Sequence, residues 1–376
     1  MTDVSLTDSA AFVARYGRPP EVVASAPGRV NLIGDHTDYN GGLVLPTALP
    51  RRTRVLLARN VDGLVRATSG QVPGAMSYRL GEEARARRWL DYVQGVTQVL
   101  LQDRFPIGGF DLHVESDVPV GSGLSSSAAL EVSLLRGLRE LYGLRLDDTA
   151  LAMLAHRAET GLVGAPVGVM DQLVCSHGDE RSALFIDTRS LALRRVPLPD
   201  TLALVVIYSG VDHDLTGGEY GVRRAECEQA AALLGVPLLR DVAEDDPRIA
   251  TLPGALPQRV RHVLSENARV LAAIEALEAR DLPRLGALFD ASHRSLRDDY
   301  AVSTPEIDLL VELAREHGAV YGARLTGGGF GGSIVIATTP QDAERVALAV
   351  ARAYASAVRY APSVVVPRLR DFESRP

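Results

Sequence analysis

A strand, a loop rich in glycine and serine, and a helix follow one another between residues 110 and 142. Apolar and polar residues alternate strictly over Phe110–Glu115, which predicts a half-buried strand. The loop Pro119–Ala129 contains Gly121, Gly123 and three consecutive serines, and a helix is predicted over Ser127–Tyr142. Glycines let a ligand approach the backbone, and the free amides of a first helical turn attract anions, so the loop is interpreted as a phosphate site. The alternative is an ordinary serine N-cap after a glycine turn.

A second segment, Ala26–Asn40, concentrates hydrogen-bonding side chains. It contains an arginine, two aspartates, a histidine, a tyrosine and two asparagines. Carboxylates accept hydrogen bonds from sugar hydroxyls, and arginine and asparagine donate to ring or phosphate oxygens. His36 and Asp38 have no third residue at metal-ligand spacing nearby, which favours hydroxyl recognition over a metal. The segment therefore predicts a sugar site, and the alternative is a turn-rich surface loop.

A third segment, Thr326–Ser333, is too rich in glycine for a routine turn. It matches G-x-G-x-x-G at Gly327, Gly329 and Gly332. We reject a dinucleotide site, because that fingerprint must open a helix and here a strand is predicted to follow. A bare backbone that approaches a ligand or another loop is the better interpretation, and a tight hairpin without a ligand is the alternative.

One carboxylate is a candidate base. Asp171 follows the glycine- and proline-bearing stretch Gly164–Gly168 and has apolar neighbours. It can serve as a base if a cation such as Arg29 keeps it ionised. The alternative is an N-cap aspartate at the start of a helix. Glu159, at the end of a predicted helix, is a candidate magnesium ligand together with a loop serine, because magnesium prefers oxygen ligands.

The composition excludes several mechanisms. All 40 basic residues are arginine, which excludes Walker-A nucleotide sites, protein kinases, Schiff-base aldolases and pyridoxal enzymes, since each requires a lysine. The net charge of −7 argues against nucleic-acid binding. With two cysteines, no secretory signal and no apolar stretch near the ~20 residues that span a bilayer, the chain is predicted to be cytoplasmic and away from membranes. We also expect a monomer.

The predicted elements indicate an α+β protein of two domains, since a chain of 376 residues is long for one core and strands do not alternate steadily with helices. The boundary is placed in the proline-bearing stretch Val196–Asp200, giving domains 1–198 and 199–376. Helical periodicity predicts Ser127–Tyr142, Asp148–Thr160, Glu219–Leu234, Gln258–Glu278, Pro305–His317 and Gln341–Val358. Besides Phe110–Glu115, strands are predicted at Val55–Ala58, Ala183–Ile186, Leu204–Tyr208, Val320–Leu325 and Ser333–Ala337.

Together, the three segments resemble the GHMP small-molecule kinases, and within them the galactokinases. Gly28–Tyr39 looks like the galactokinase signature, the serine-glycine loop is similar to the second family motif, and Leu325–Gly332 is similar to the third. Three concordant motifs in the right order are more specific than any one of them. The resemblance implies the two-domain GHMP fold, ferredoxin-like in its C-terminal domain, with the active site in the cleft between the domains. It also implies transfer of the γ-phosphoryl group of ATP, with magnesium, to the anomeric C1 hydroxyl of galactose.

The resemblance further implies roles for individual residues. Asp171 would be the base or an anion facing the C1 hydroxyl, and Arg29 would stabilise it and the moving charge. The residues expected around the sugar are Asp35, His36, Asp38, Gly168 and Tyr220. The residues expected at the nucleotide are Gly121, Ser122, Gly123, Leu124, Ser125, Ser126 and Ser127. Ser127 and Glu159 would hold magnesium, although the sequence leaves open which serine is the ligand.

Two positions depart from the family pattern. The family usually has glutamate where this chain has Asp35, and many members have a basic residue where it has Asp212. The shorter Asp35 keeps open a kinase for a related sugar, such as N-acetylgalactosamine, galacturonate or arabinose. A non-catalytic sugar sensor on the same fold is a second alternative. The preference between ATP and GTP also stays open.

Overall fold

The computed structural model describes residues 6–211 and 218–367, so Asp212 lies outside the described residues. Within them the helices are α1 (Leu6–Tyr16), α2 (Leu90–Gln102), α3 (Ser126–Tyr142), α4 (Asp148–Ala158), α5 (Met170–His177), α6 (Glu219–Leu234), α7 (Leu256–Glu278), α8 (Leu282–Asp298), α9 (Pro305–Arg315) and α10 (Ala343–Ala357). The strands are β1 (Val22–Asn31), β2 (Leu43–Val44), β3 (Pro46–Arg59), β4 (Leu64–Ser69), β5 (Ala75–Arg79), β6 (Phe110–Ser116), β7 (Ser182–Asp187), β8 (Ala192–Pro197), β9 (Ala203–Tyr208), β10 (Val320–Thr326), β11 (Ser333–Thr338) and β12 (Ser363–Val366).

The predicted α+β class is confirmed, and each of the six predicted helices is present with ends shifted by no more than a few residues. Helix α4 stops at Ala158 and a single π turn, Glu159–Val163, follows it. Gly143 and Gly235 end α3 and α6 in the left-handed conformation, as C-terminal glycines commonly do. Helices α1, α2, α5 and α8 were not predicted.

The first compact unit consists of the described residues of Met1–Gly28, Leu49–Pro119 and Ser125–His177. Its strands lie in the order β3-β6-β4-β5, in which β4 is parallel to β6 and the other pairs are antiparallel. Helices α2, α3, α4 and α5 pack against one another. They bury apolar residues at helical spacing, among them Val93, Val96, Leu100, Leu134, Leu138, Leu151 and Leu173.

The second compact unit consists of the described residues of Arg29–Ala48, Val120–Leu124 and Gly178–Pro376. It contains an antiparallel sheet in the order β10-β11-β9-β12. Strand β11 is buried along its whole length and rich in β-branched residues, which suit a pleated core surface. Its core also takes apolar side chains from α6, α7, α9 and α10. Strand β7 pairs with β2, with β8 and, at Thr47–Ala183, with β3.

Both units are discontinuous in sequence, whereas the prediction divided the chain once, after residue 198. The division into 1–198 and 199–376 stays a prediction. Among the described residues, no helix combines the length and hydropathy that a membrane span requires.

Candidate active site

The segment Ala26–Asn40 begins as a buried strand, so the alternative of a turn-rich surface loop is wrong for its first part. Arg29 and Asn31 lie in β1 and are 4% and 0% exposed. Arg29 donates from Nη1 to the carbonyl of Gly123 at 2.5 Å, and its backbone N–H donates to the carbonyl of Leu124 at 3.1 Å. The end of β1 therefore fixes the backbone of the serine-glycine loop.

The third glycine segment is the turn between β10 and β11, so the rejection of a dinucleotide fingerprint is confirmed. A Cβ atom on Gly327 would lie 2.8 Å from the carbonyl oxygen of Gly123, and one on Gly329 would lie 2.4 Å from that of Val302. Both glycines also have positive φ. These glycines are required because the turn packs against other backbone segments, which agrees with the predicted bare backbone that approaches another loop.

Asp35 is held in a buried ion pair. Its Oδ2 accepts a hydrogen bond from Nη2 of Arg324 at 2.5 Å, and its Oδ1 accepts one from the backbone N–H of Gly327 at 2.9 Å. Arg324 and Asp35 are 0% and 2% exposed. Burial raises the pKa of Asp35, although the guanidinium of Arg324 opposes the shift. The sequence analysis missed Arg324, whose signal was a lone charge inside an apolar strand.

A second buried carboxylate lies beside the same arginine. Oε1 of Glu266 is 3.7 Å from Nη2 of Arg324 and accepts hydrogen bonds from Ser292 and from the N–H of Gly34. Burial alone would raise the pKa of Glu266, but the cations of Arg269 and Arg324 lower it to about 2. Glu266 therefore shares the charge of Arg324 with Asp35.

His36 and Tyr220, two further predicted sugar residues of the second unit, lie in an aromatic cluster. His36 has φ 63°, a left-handed conformation that is uncommon outside glycine, and its ring centroid lies 5.2 Å from that of Tyr220. Both side chains are buried. Asp38 is half-buried and accepts from the N–H of Tyr39 at 2.9 Å. Asp35, His36, Asp38 and Tyr220 are thus brought into one unit, whereas Gly168 belongs to the other.

In the first unit, Ser125 and Asp171 form a hydrogen-bonded pair. Ser125 Oγ donates to Asp171 Oδ2 at 2.5 Å. Ser125 occupies the N-cap position of α3 with φ 61°, and among the described residues its side chain caps no backbone amide. Asp171 is the second residue of α5 and is half-buried. The ordinary N-cap interpretation is therefore wrong for Ser125, whose hydroxyl is committed to the candidate base.

A second buried acid, Glu131, lies near the predicted magnesium ligand Glu159. Glu159 is 2% exposed and accepts from Nε2 of Gln172 at 2.6 Å. Glu131 lies four residues after Ser127 on α3, hence on the same helix face. Burial and the charge of Glu159 raise the pKa of Glu131 well above its usual range, and within the described part of the chain neither of its buried carboxylate oxygens has a hydrogen-bond partner. The sequence analysis missed both Glu131 and Gln172.

These acids suit magnesium. Two buried carboxylates of like charge require a proton or a cation, and magnesium binds carboxylate and hydroxyl oxygens. Over residues 6–211 and 218–367, no group of three histidine, cysteine or acidic side chains forms a metal cage. A magnesium ion here would therefore need a hydroxyl and a phosphate as well, which is how this ion usually binds.

Comparison with known proteins identifies the family. Residues 10–59 match the galactokinase galactose-binding signature, 91–179 the GHMP kinase N-terminal domain, and 273–356 the GHMP kinase C-terminal domain. The galactokinase of Chloroflexus aggregans is 45% identical over 92% of this chain and 91% of its own. That of Streptomyces coelicolor is 44% identical over 94% of each chain. The crystal structure of Lactococcus lactis galactokinase complexed with galactose superposes with a TM-score of 0.89, at 31% identity over 95% of each chain. The chain thus has the two-domain GHMP kinase fold and belongs to the galactokinases.

Proposed function

We propose that this protein transfers the γ-phosphoryl group of ATP to the anomeric C1 hydroxyl of galactose, giving galactose 1-phosphate and ADP as the first committed step of galactose use. Family membership supports the kinase activity and ATP as the phosphoryl donor. The sugar is supported by the galactose-binding signature over residues 10–59. The observation that carries the mechanism is the Ser125–Asp171 hydrogen bond at the start of α3.

In the proposed reaction, the C1 oxygen attacks the γ-phosphorus in line with the departing oxygen of ADP. A carbon-bound oxygen forms the new bond to phosphorus, the bond from phosphorus to the β–γ bridging oxygen breaks, and the hydroxyl proton passes to Asp171. Ser125 orients the Asp171 carboxylate by donating to its Oδ2. Such transfers depend mainly on positioning and electrostatic stabilisation. Until that proton leaves, the Asp171 carboxylate also orients the C1 hydroxyl by accepting its hydrogen bond.

The triphosphate is bound without lysine. We assign this task to the backbone amides of Gly121–Ser127 and the first turn of α3, whose dipole attracts anions. Arg29 orders the same loop through the Gly123 carbonyl and is assigned to stabilise the charge that moves during transfer. Asp35, His36, Asp38, Gly168 and Tyr220 are assigned to the sugar pocket.

Magnesium is assigned to Ser127 and Glu159. When bound, it would neutralise phosphate charge during the transfer. Glu131 adds a second buried carboxylate on the same face of α3 as Ser127. We further infer that the enzyme works in the cytoplasm as a monomer. A reducing compartment agrees with the low cysteine content, two residues in the whole chain. Light scattering of the purified protein tests the monomer.

Replacing Asp171 by Asn tests the base. We expect kcat to fall by about 10²–10⁴-fold, the usual contribution of a positioned base, while ATP affinity is kept. Asp148→Asn is the matched control, because it also removes one carboxylate charge near a helix start of the same unit. An Asp171→Asn variant with near-normal kcat would place the base elsewhere.

A sugar panel tests the substrate. We expect kcat/KM for galactose to exceed that for N-acetylgalactosamine, galacturonate and arabinose, because buried polar groups left unpaired by a wrong sugar cost about 1–3 kcal/mol each. ADP release should depend on the sugar. A higher kcat/KM for another sugar would change the substrate, and a total lack of sugar-dependent ADP release would indicate a sensor.

A further inference from the structure

Four protic side chains of the second unit form a hydrogen-bonded chain that ends at the glycine turn. Cys227 Sγ lies 3.0 Å from the Tyr300 hydroxyl, which lies 2.7 Å from the Tyr39 hydroxyl. The Tyr39 hydroxyl lies 2.9 Å from Nδ1 of His36. Nε2 of His36 then lies 3.1 Å from the carbonyl oxygen of Gly328. The chain therefore connects α6, the segment that follows α8, the signature segment Gly28–Tyr39 and the β10–β11 turn.

The direction of the chain follows from its last member. A carbonyl oxygen only accepts, so Nε2 of His36 carries the hydrogen that points at Gly328. In the neutral imidazole Nδ1 is then an acceptor, and the Tyr39 hydroxyl donates to it. Since each hydroxyl has one hydrogen, the Tyr300 hydroxyl donates to Tyr39, and the thiol of Cys227 donates to Tyr300.

Burial keeps the chain protonated and fixed. Tyr300 and Cys227 are 0% and 1% exposed. Burial raises the pKa of Tyr39 and Tyr300 well above the usual range and that of the Cys227 thiol to about 11, so all three remain donors at neutral pH. The Tyr300 ring also contacts the rings of His36 and His262, at centroid distances of 4.8 and 4.4 Å.

We propose that Tyr300 and Cys227 are positioning residues of the sugar site, which fix His36 in its Nε2–H tautomer so that its ring supports the glycine turn at Gly328. Both ring nitrogens of His36 are engaged within the protein, so the ring shapes the pocket rather than donating from a nitrogen to the sugar. This inference rests on the proposed sugar site. It gives a role in the reaction to two residues outside the predicted site.

Enzyme kinetics test the positioning role. Tyr300→Phe removes the donor to Tyr39, and Tyr39→Phe removes the donor to His36. We expect each to raise KM for galactose about tenfold with KM for ATP within about twofold, because a buried polar group is left unpaired. Cys227→Ala should raise KM for galactose by less. Cys227→Ser should keep the wild-type KM, since the serine hydroxyl donates as the thiol does.

Tyr354→Phe is the matched control. Tyr354 is 0% exposed, lies in the same unit and donates its hydroxyl to the Ser209 carbonyl at 3.0 Å, outside the chain. If Tyr300→Phe and Tyr39→Phe change KM for galactose no more than this control does, the positioning role is overturned.

Nitrogen NMR tests the tautomer without turnover. In enzyme labelled with ¹⁵N-histidine, with His36 assigned by comparison with His36→Asn, we expect a protonated Nε2 and an unprotonated Nδ1. Tyr39→Phe should mix the tautomers, while Tyr354→Phe should not. A protonated Nδ1 in the wild-type protein would overturn the proposal. Because this readout needs no substrate, it separates failure of the chain from failure of the proposed galactose kinase activity.

Discussion

Removing the Ser125 hydroxyl should impair catalysis through Asp171. The hydroxyl donates to the carboxylate at 2.5 Å, and hydrogen bonds to charged groups contribute about 1.5–3 kcal/mol. If the bond orients Asp171 in the transition state, Ser125→Ala lowers kcat by about 10- to 150-fold, since each 1.36 kcal/mol is a factor of ten. Because serine and alanine carry a similar steric penalty in the left-handed backbone at residue 125, this variant mainly removes the hydroxyl.

Ser125→Gly separates catalysis from stability. Glycine adopts φ 61° without the steric penalty, so we expect Ser125→Gly to be more stable than Ser125→Ala by about 1 kcal/mol. Both variants lack the hydroxyl and should lose the same share of kcat. The assay is steady-state ADP release with galactose and ATP varied in turn, beside thermal unfolding. A raised KM for ATP with unchanged kcat would refute the reasoning, because Ser125 would then act on the nucleotide and not on Asp171.

Three further predictions concern buried charges. Burial lowers the pKa of His262 to about 4, against about 6.5 in the unfolded chain. Neutral His262 therefore contributes fully to the free energy of unfolding above pH 6.5, and ~3 kcal/mol of it is lost as the pH falls to 4. Urea unfolding at stepped pH should show this loss, and His262→Gln should reduce it. Asp35→Asn should destabilise the protein by about 3–5 kcal/mol, because it removes the carboxylate that pairs most closely with buried Arg324 and leaves only the longer contact with Glu266; a thermal-unfolding loss below ~1 kcal/mol would contradict this. Glu131→Gln should weaken binding of Mg²⁺ with ADP about tenfold by calorimetry, or about 1.4 kcal/mol, since glutamine cannot lose a proton to supply the buried negative charge that the metal would balance; unchanged affinity would separate Glu131 from the metal.

Much of the fold was predictable because local patterns agree with it. The strict alternation before the serine-glycine loop became β6, and the three- and four-residue periodicity became α3, α6 and α9. Helix α8 was missed although it begins with a proline in its first turn, a usual helix-start signal. The parallel pairing of β4 with β6 was not predictable, because no local pattern reports which strands become neighbours.

The site was predictable in its motifs and not in its contacts. The sequence identified Arg29, Asp171 and Glu159 as candidate site residues. Their roles in the reaction stay predictions. The partners of Arg29 and Glu159 lie outside the local motifs: Gly123 is 94 residues from Arg29, and Gln172 is 13 residues from Glu159, beyond a helix break. The sequence left a serine N-cap in this loop as an alternative. Ser125 does occupy the cap position, but its backbone is left-handed and its hydroxyl donates to Asp171.

The absence of lysine connects these observations. A mobile ammonium group can follow the charge of a phosphate, whereas backbone amides bind an anion only where the chain holds them. Fixed donors require a fixed loop, and the structure provides one: Arg29 holds the carbonyl of Gly123, Ser333 donates to that of Ser122 at 2.8 Å, and Gly327 lacks a side chain where that backbone passes. A Gly327→Ala change should therefore raise KM for ATP while leaving β10 and β11 paired. Unchanged ATP kinetics in a variant that folds would mean that this packing does not set the position of the loop.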